Sequence, residues 1–236
     1  MLFRSNSQRR IVTFALDHPA TVVGQVLLHG LETLLTVVAP EGEARIKLHL
    51  PGIHNARNAL AAAAATLAAG IDIGAVAAGL GGFGGVKGRL QQRAGQNGAV
   101  ILDDTYNANP DSVRAGIDVL ASTVGHSVLV LGDMGEIGDM SAQCHDEIGG
   151  YAKSQGIDKV FTFGEVSAVA ARNFGAGGQH FEQLEALIAA VRKELSPTTT
   201  VLVKGSRFMR MERVADALAQ ENTAATGAAK AAGENH

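Results

Sequence analysis

At 236 residues and 46% hydrophobic content, the chain can bury the cores of two modest domains, which excludes a disordered or fibrous class. A net charge of -3, with no basic cluster beyond Gln8-Arg9-Arg10, excludes nucleic acid as a main partner. Its single cysteine, Cys144, excludes an internal disulfide and suits a reducing cytoplasm, and the most apolar run, Ala59 to Ala69, falls short of the roughly 18 residues of a membrane span.

In chain order, Met1 to Arg10 has the basic end of a signal peptide without its apolar segment. Residues 11–50 then alternate apolar and polar with a period near two, in Ile11-Val-Thr-Phe, Val22-Val-Gly-Gln-Val, Leu34-Leu-Thr-Val-Val and Arg45-Ile-Lys-Leu-His-Leu. Turns at His29-Gly30 and Pro40-Glu-Gly-Glu separate them, so these read as antiparallel strands. A helix from Asn55 to Ala69, ended by Gly70, and a second from Ile73 to about Leu80 supply part of the cover such a sheet needs. Gly81 to Gly98 is glycine-rich without an apolar period and reads as a connection between domains, with residues 86–98 as the hinge.

Beyond it the pattern is α/β. Val100-Ile-Leu, Ser127-Val-Leu-Val-Leu, Lys159-Val-Phe-Thr-Phe and Thr200-Val-Leu-Val are continuous apolar runs, as expected of strands buried on both faces. Helical periods lie at 111–124, 142–155, 165–174, 182–195 and 209–221, which predicts a doubly wound, mostly parallel sheet over residues 99–221. The Ala/Gly/polar residues 222–236 read as a disordered tail.

Four motifs could carry chemistry. Asn55 and Asn58, three apart in the first helix beside His54, present two amides on one face, and an amide can donate and accept together as an adenine edge requires. A capped, alanine-rich structural helix is the alternative. In an open parallel sheet ligands sit beyond the carboxyl ends of the strands, and three motifs fall there. Asp103-Asp104-Thr-Tyr106-Asn107-Ala-Asn109-Pro110 follows the first strand. Asn109 there reads as a helix N-cap with Pro110 at the first helical position, which leaves Asp103, Asp104 and Tyr106 unexplained. Gly132-Asp133-Met-Gly135-Glu-Ile-Gly138 suits a loop whose backbone approaches a ligand, or a plain glycine-rich turn. Lys204-Gly-Ser206-Arg207 suits an anion, or Ser206 as a cap with two solvated cations.

Two further patterns are discounted. Gly79-Leu-Gly81-Gly-Phe-Gly84 follows a helix and lacks a βαβ unit, so it is no dinucleotide site. Cys144-His145-Asp146-Glu147 cannot converge on a helix and reads as helix surface.

The stretch His54-Asn-Ala-Arg-Asn-Ala-Leu-Ala-Ala, followed in order by Asp103-Asp-Thr-Tyr-Asn-Ala-Asn-Pro-Asp-Ser, Leu131-Gly-Asp-Met-Gly-Glu and Lys204-Gly-Ser-Arg, resembles the Mur ligase family from about residue 12 to residue 220. The set is most similar to the branch that joins D-alanyl-D-alanine to UDP-N-acetylmuramoyl-tripeptide. The resemblance implies ATP-dependent ligation through an acyl phosphate, in peptidoglycan precursor synthesis. It implies residues 1–85 as the C-terminal part of a central ATPase domain and 99–221 as a Rossmann-like C-terminal domain. By it, His54, Asn55 and Asn58 lie at the adenine, Arg89 swings from the hinge onto the phosphates, Asp104 holds the ribose, and Tyr106 belongs with these nucleotide-binding residues. Asp133, Lys204, Ser206 and Arg207 line the D-alanyl-D-alanine side.

The resemblance places the Mg²⁺ ligands, the carbamylated lysine and the uridine-nucleotide domain upstream, and gives no catalytic side chain or metal ligand to this chain. No G-x-x-x-x-G-K-[ST] occurs in it. The expectation is therefore the C-terminal half of a cytoplasmic ligase, monomeric when complete and inactive alone. The alternatives are a non-catalytic module that binds adenine nucleotide or peptide, and a sibling ligase with another amine substrate, of the Mur or folylpolyglutamate type.

Overall fold

The computed structural model describes residues 11–220. The expectations for Met1–Arg10 and for the tail beyond residue 221 lie outside the described residues. The chain divides into two compact units between Gly85 and Val86.

The first unit is a four-stranded sheet covered by two helices. Its strands are β1 (Phe14–Leu16), β2 (Val22–His29), β3 (Glu32–Ala39) and β4 (Gly42–Leu48), in spatial order β1-β2-β3-β4. The β2-β3-β4 part is an antiparallel meander. Alternation puts Val22, Leu35, Val37, Ile46 and Leu48 on one buried face. Against that face lies α1 (Ile53–Ala68), whose buried Ala56, Leu60, Ala63, Ala64 and Leu67 repeat at helical spacing. Gly24 of β2 makes room for the helix: a Cβ there would stand 2.8 Å from Leu60 Cδ2. The second helix, α2 (Ile73–Gly81), is capped by Asp72, whose Oδ1 accepts from the Ala75 N–H at 2.9 Å.

One expectation fails here: β1 runs parallel to β2, not antiparallel. Asp17, at φ 55°, turns the chain back after Leu16, and the hydroxyls of Thr13 and Thr21 meet at 3.2 Å. The next strand therefore starts beside the start of the last one.

The second unit is a six-stranded sheet with helices on its faces. Its strands are β5 (Gln91–Ala94), β6 (Val100–Asp104), β7 (His126–Gly132), β8 (Lys159–Phe163), β9 (Gly178–Phe181) and β10 (Thr199–Lys204). The order is β5-β6-β10-β7-β8-β9, parallel throughout except for β5. Its helices are α3 (Pro110–Ala121), α4 (Ser141–Ser154), α5 (Ala168–Phe174), α6 (Leu184–Glu194) and α7 (Glu212–Leu218). Ile101, Val128, Val130, Val201 and Val203 pack with Leu187 and Val191 of α6 and Val214 and Leu218 of α7. Their sheet neighbours Leu102, Leu129, Leu131 and Leu202 are equally buried, and α3 lies on Leu202: a Cβ at Gly116 would stand 3.0 Å from its Cδ2.

The sequence patterns do not reveal β5 and β9. Both are polar edge strands, and β5 corrects the reading of 86–98 as plain connection, because Gln91–Ala94 pairs with β6. Asn109 caps α3 as expected: its Oδ1 accepts from the Ser112 N–H at 2.8 Å, and Ser112 Oγ accepts from the Asn109 N–H at 3.0 Å. The last strand inserts between β6 and β7, so three strand ends stand side by side.

Candidate functional site

In the first unit, α1 starts at a glycine. Gly52, at φ 96°, donates its N–H to the buried Thr33 Oγ1 at 3.2 Å, which ties the helix start to β3. The next residues carry the site. Asn55 Nδ2 donates to the Pro51 carbonyl at 2.8 Å, an anchor that fixes the amide plane. Asn58 is exposed, and its amide makes no hydrogen bond among the described residues. Both asparagines line a cleft of about 340 Å³ whose walls are Leu48, Leu50, Ala59, Leu80 and Phe83. His54 is half-buried on the same turn and does not line it. An apolar slot with two amides at its edge fits a flat, nitrogen-bearing ring.

In the second unit, the ends of β6, β10 and β7 bring the other motifs together. Lys204 is 2% exposed, and its Nζ donates to Asp104 Oδ2 at 2.6 Å and to the Asn107 carbonyl at 2.9 Å. Asp104 Oδ1 accepts from the Leu90 N–H at 3.0 Å. Arg89, one residue earlier, lies over the Tyr106 ring with Cζ 4.3 Å from the centroid. Asp103 points away from this cluster into a structural network: it is fully buried, accepts from Thr105 Oγ1 at 2.7 Å and pairs with Arg93 at 3.0 Å. Burial works to lower the pKa of Arg93, but hydrogen bonds to Asp216 and Asp103 outweigh it and raise the value.

Ser206 joins three loops. Its Oγ accepts from the Gly135 N–H at 2.7 Å and donates to the Ala108 carbonyl at 3.1 Å, while its own N–H donates to the Asp133 carbonyl at 2.9 Å. Asp133 is buried, and its two oxygens accept from the N–H groups of Glu165, Val166 and Ser167 at 2.8 to 3.3 Å. Arg207 is the exposed member of this group, at 3.4 Å from Glu212. Among the described residues, no three His, Cys, Asp or Glu side chains converge to hold a metal.

Residues 88–207 match the model of the Mur ligase glutamate ligase domain. The chain belongs to the Mur ligase family. It is 41% identical over 209 residues to the UDP-N-acetylmuramoyl-tripeptide–D-alanyl-D-alanine ligase of Escherichia coli, which covers 88% of this chain and 45% of that one. The ligase of the same name from Haemophilus influenzae is 40% identical over 185 residues, covering 76% and 40%. Among solved structures, MurF from Acinetobacter baumannii aligns with a TM-score of 0.78 at 31% identity over 88% of this chain and 46% of that one. The chain thus spans about half the length of the curated relatives it matches.

For this Mur ligase chain the structure sorts the expected residues. Asn55 and Asn58 share a cleft, and Arg89, Asp104, Tyr106 and Lys204 share a cluster. Asp133 and Ser206, expected on the substrate side, are not exposed: both are buried, and their side-chain oxygens are engaged by backbone groups. Nor is Ser206 a helix cap: its side chain makes no capping bond to the 3-10 turn Arg207–Met209. Lys204 is not the solvated cation of the alternative reading either, since strand register places it, buried, on Asp104.

Sequence reasoning missed Phe83 and Leu80 as cleft walls, although a lone aromatic in a glycine-rich stretch is a usable signal. It also missed His145, which is fully buried. His145 Nε2 accepts from the Met134 N–H at 2.9 Å, and Nδ1 donates to the Ser141 carbonyl at 2.7 Å. The reading of 144–147 as helix surface is therefore wrong at His145.

Proposed function

We propose that this chain supplies the adenine cleft and a phosphate-binding arginine of an ATP-dependent Mur ligase. The reaction joins D-alanyl-D-alanine to UDP-N-acetylmuramoyl-tripeptide in the cytoplasm, for peptidoglycan precursor synthesis. The observation that carries the nucleotide half of this reading is the apolar cleft edged by Asn55 and Asn58. With its Nδ2 spent on Pro51, Asn55 turns its carbonyl oxygen to accept from the exocyclic amine of adenine, and Asn58 donates to the neighbouring ring nitrogen. Leu48, Leu80 and Phe83 cover the faces of the ring. The ligase half rests on the identity to the E. coli and H. influenzae enzymes.

The chemistry is phosphoryl transfer followed by acyl transfer. A carboxylate oxygen of the tripeptide attacks the γ-phosphorus and ADP leaves; the dipeptide amine then attacks the acyl carbon and phosphate leaves. Magnesium would screen the phosphates, and its ligands are assigned to the part of the ligase outside this chain. Arg89, always charged and fork-shaped, matches phosphate oxygens in the second unit. Asp104 keeps a lone pair on each oxygen for a ribose hydroxyl, beside Lys204 and Leu90.

Two measurements test this. ATP should bind the chain better than GTP, whose six-position carbonyl opposes the Asn55 oxygen, and Asn58→Ala should weaken ATP; equal binding of the two nucleotides would remove the adenine reading. For the ligase, phosphate release is followed with the tripeptide substrate, this chain and a polypeptide carrying the remainder of the E. coli relative. Release that requires both polypeptides and prefers D-alanyl-D-alanine to single amino acids is expected. Release with every amine alike, or none in any combination, would favour the non-catalytic binding module.

A further inference from the structure

Arg89 sits in an unusually fixed stretch for an exposed cation. Gly88 and Leu90 on either side are buried, and both have positive φ, 75° and 51°. A Cβ at Gly88 would stand 3.1 Å from the Tyr106 nitrogen, so this crowded left-handed position suits glycine. Leu90 adopts the same region against its own preference and is held there by its N–H bond to Asp104 Oδ1 at 3.0 Å. The Tyr106 N–H donates to the Gly88 carbonyl at 2.9 Å, and the Arg89 N–H donates to the Val86 carbonyl at 3.0 Å. The backbone around Arg89 is thus bonded to the loop that carries Tyr106.

The side chains complete the arrangement. The Arg89 guanidinium lies on the ring of Tyr106, a residue that is 48% exposed, and no carboxylate pairs with Arg89 among the described residues. Arg93, Arg114 and Arg207 all have acidic partners. A ring face orients a guanidinium without neutralising it, which a carboxylate would do. The charge and the donors at the guanidinium edge stay available to an anion.

We propose that Tyr106 is a positioning residue: its ring holds the Arg89 guanidinium in place, so that Tyr106 acts on the nucleotide phosphates through Arg89 and does not touch the nucleotide itself. This rests on the reading of Arg89 as a phosphate-binding group. It departs from the expectation that Tyr106 binds the nucleotide directly.

The test is a double-mutant cycle on the 236-residue chain, reading ATP affinity by titration calorimetry at low salt. Loss of an exposed cation–π contact should weaken ATP by about two- to fivefold in Tyr106→Leu. Tyr106→Phe keeps the ring and should bind like the parent. Arg89→Ala should lose about tenfold or more, the cost of a charged hydrogen bond. The decisive result is the double variant Arg89→Ala/Tyr106→Leu, which should bind no more weakly than Arg89→Ala alone. Additive losses, or a Tyr106→Phe as weak as Tyr106→Leu, would mean that Tyr106 touches the nucleotide, and would overturn the proposal. A silent Tyr106→Leu beside a damaging Arg89→Ala would overturn it while leaving the phosphate reading intact. If Arg89→Ala binds like the parent, or the parent binds no ATP, the phosphate reading falls and the proposal with it. The ring-current shift of the Arg89 Nε–H, present in the parent and in Tyr106→Phe, should vanish in Tyr106→Leu.

Discussion

Lys204 and Asp104 face each other in register at the carboxyl ends of two neighbouring parallel strands, with Nζ and Oδ2 2.6 Å apart. The lysine is almost fully buried, so the carboxylate balances a charge that has lost its water. Asp104→Ala leaves that ammonium with only the Asn107 carbonyl and should cost about 3 kcal/mol of stability by urea unfolding. Removing both charges in Asp104→Leu/Lys204→Met should cost less than the single change. A double variant less stable than Asp104→Ala would contradict this account of the pair.

Asp133 makes a second prediction, local to one loop. Its oxygens collect the N–H groups of Glu165, Val166 and Ser167, which end β8 and lead into α5. In Asp133→Asn one oxygen becomes a donor facing N–H groups, at a cost of about 2 kcal/mol for lost and opposed bonds. Hydrogen exchange at residues 165–167 should accelerate far more than exchange in β10. Uniform acceleration would show that the loop is held by other means.

The buried imidazole gives a spectroscopic prediction. The Met134 N–H can only donate, so His145 Nε2 must be unprotonated, and Nδ1 carries the proton towards Ser141. Long-range ¹H–¹⁵N correlation spectra at neutral pH should show the Nδ1–H tautomer. The Nε2–H form would place the Gly132–Gly138 loop differently from the structure.

A fourth prediction separates stability from ligand binding. Gly79 lines the cleft within α2, and a Cβ there meets nothing within 4 Å. Gly79→Leu should raise helix stability by up to about 1 kcal/mol, because glycine is costly in a helix interior. It should also fill the slot and abolish ATP binding. Retained ATP affinity in a more stable protein would place the nucleotide elsewhere.

The pH dependence of Asp158 follows from its position before β8. The backbone N–H of Ser127 donates to its carboxylate at 2.8 Å and holds its pKa below the usual range; burial opposes this, while the Ser127 hydroxyl and His126 add to it. A depressed value stabilises the fold above the unfolded pKa, and the gain is lost as pH falls through the folded one. The Tm difference between the parent and Asp158→Asn should therefore be constant near neutrality and shrink below about pH 4. A gap that stays constant into acid would show that charge plays no part.

The local sequence determined much of this molecule. The two-residue period over 22–48, the helical spacing of Ala56 to Leu67, the apolar runs at 100, 127, 159 and 200 and the Asn109 cap each act within a few residues, and each appears where its pattern lies. The amides of Asn55 and Asn58 were legible for the same reason, since one helical turn sets their relation. Tertiary structure alone decided which polar residues converge. Inserting β10 between β6 and β7 sets Lys204 on Asp104, and folding the loop after β8 inward consumes Asp133. The polar edge strands β5 and β9, and the parallel pairing of β1, likewise depend on partners distant in sequence or on a single left-handed residue. A side chain's type states what it can bond, but burial and strand order, both properties of the whole fold, determine what it meets.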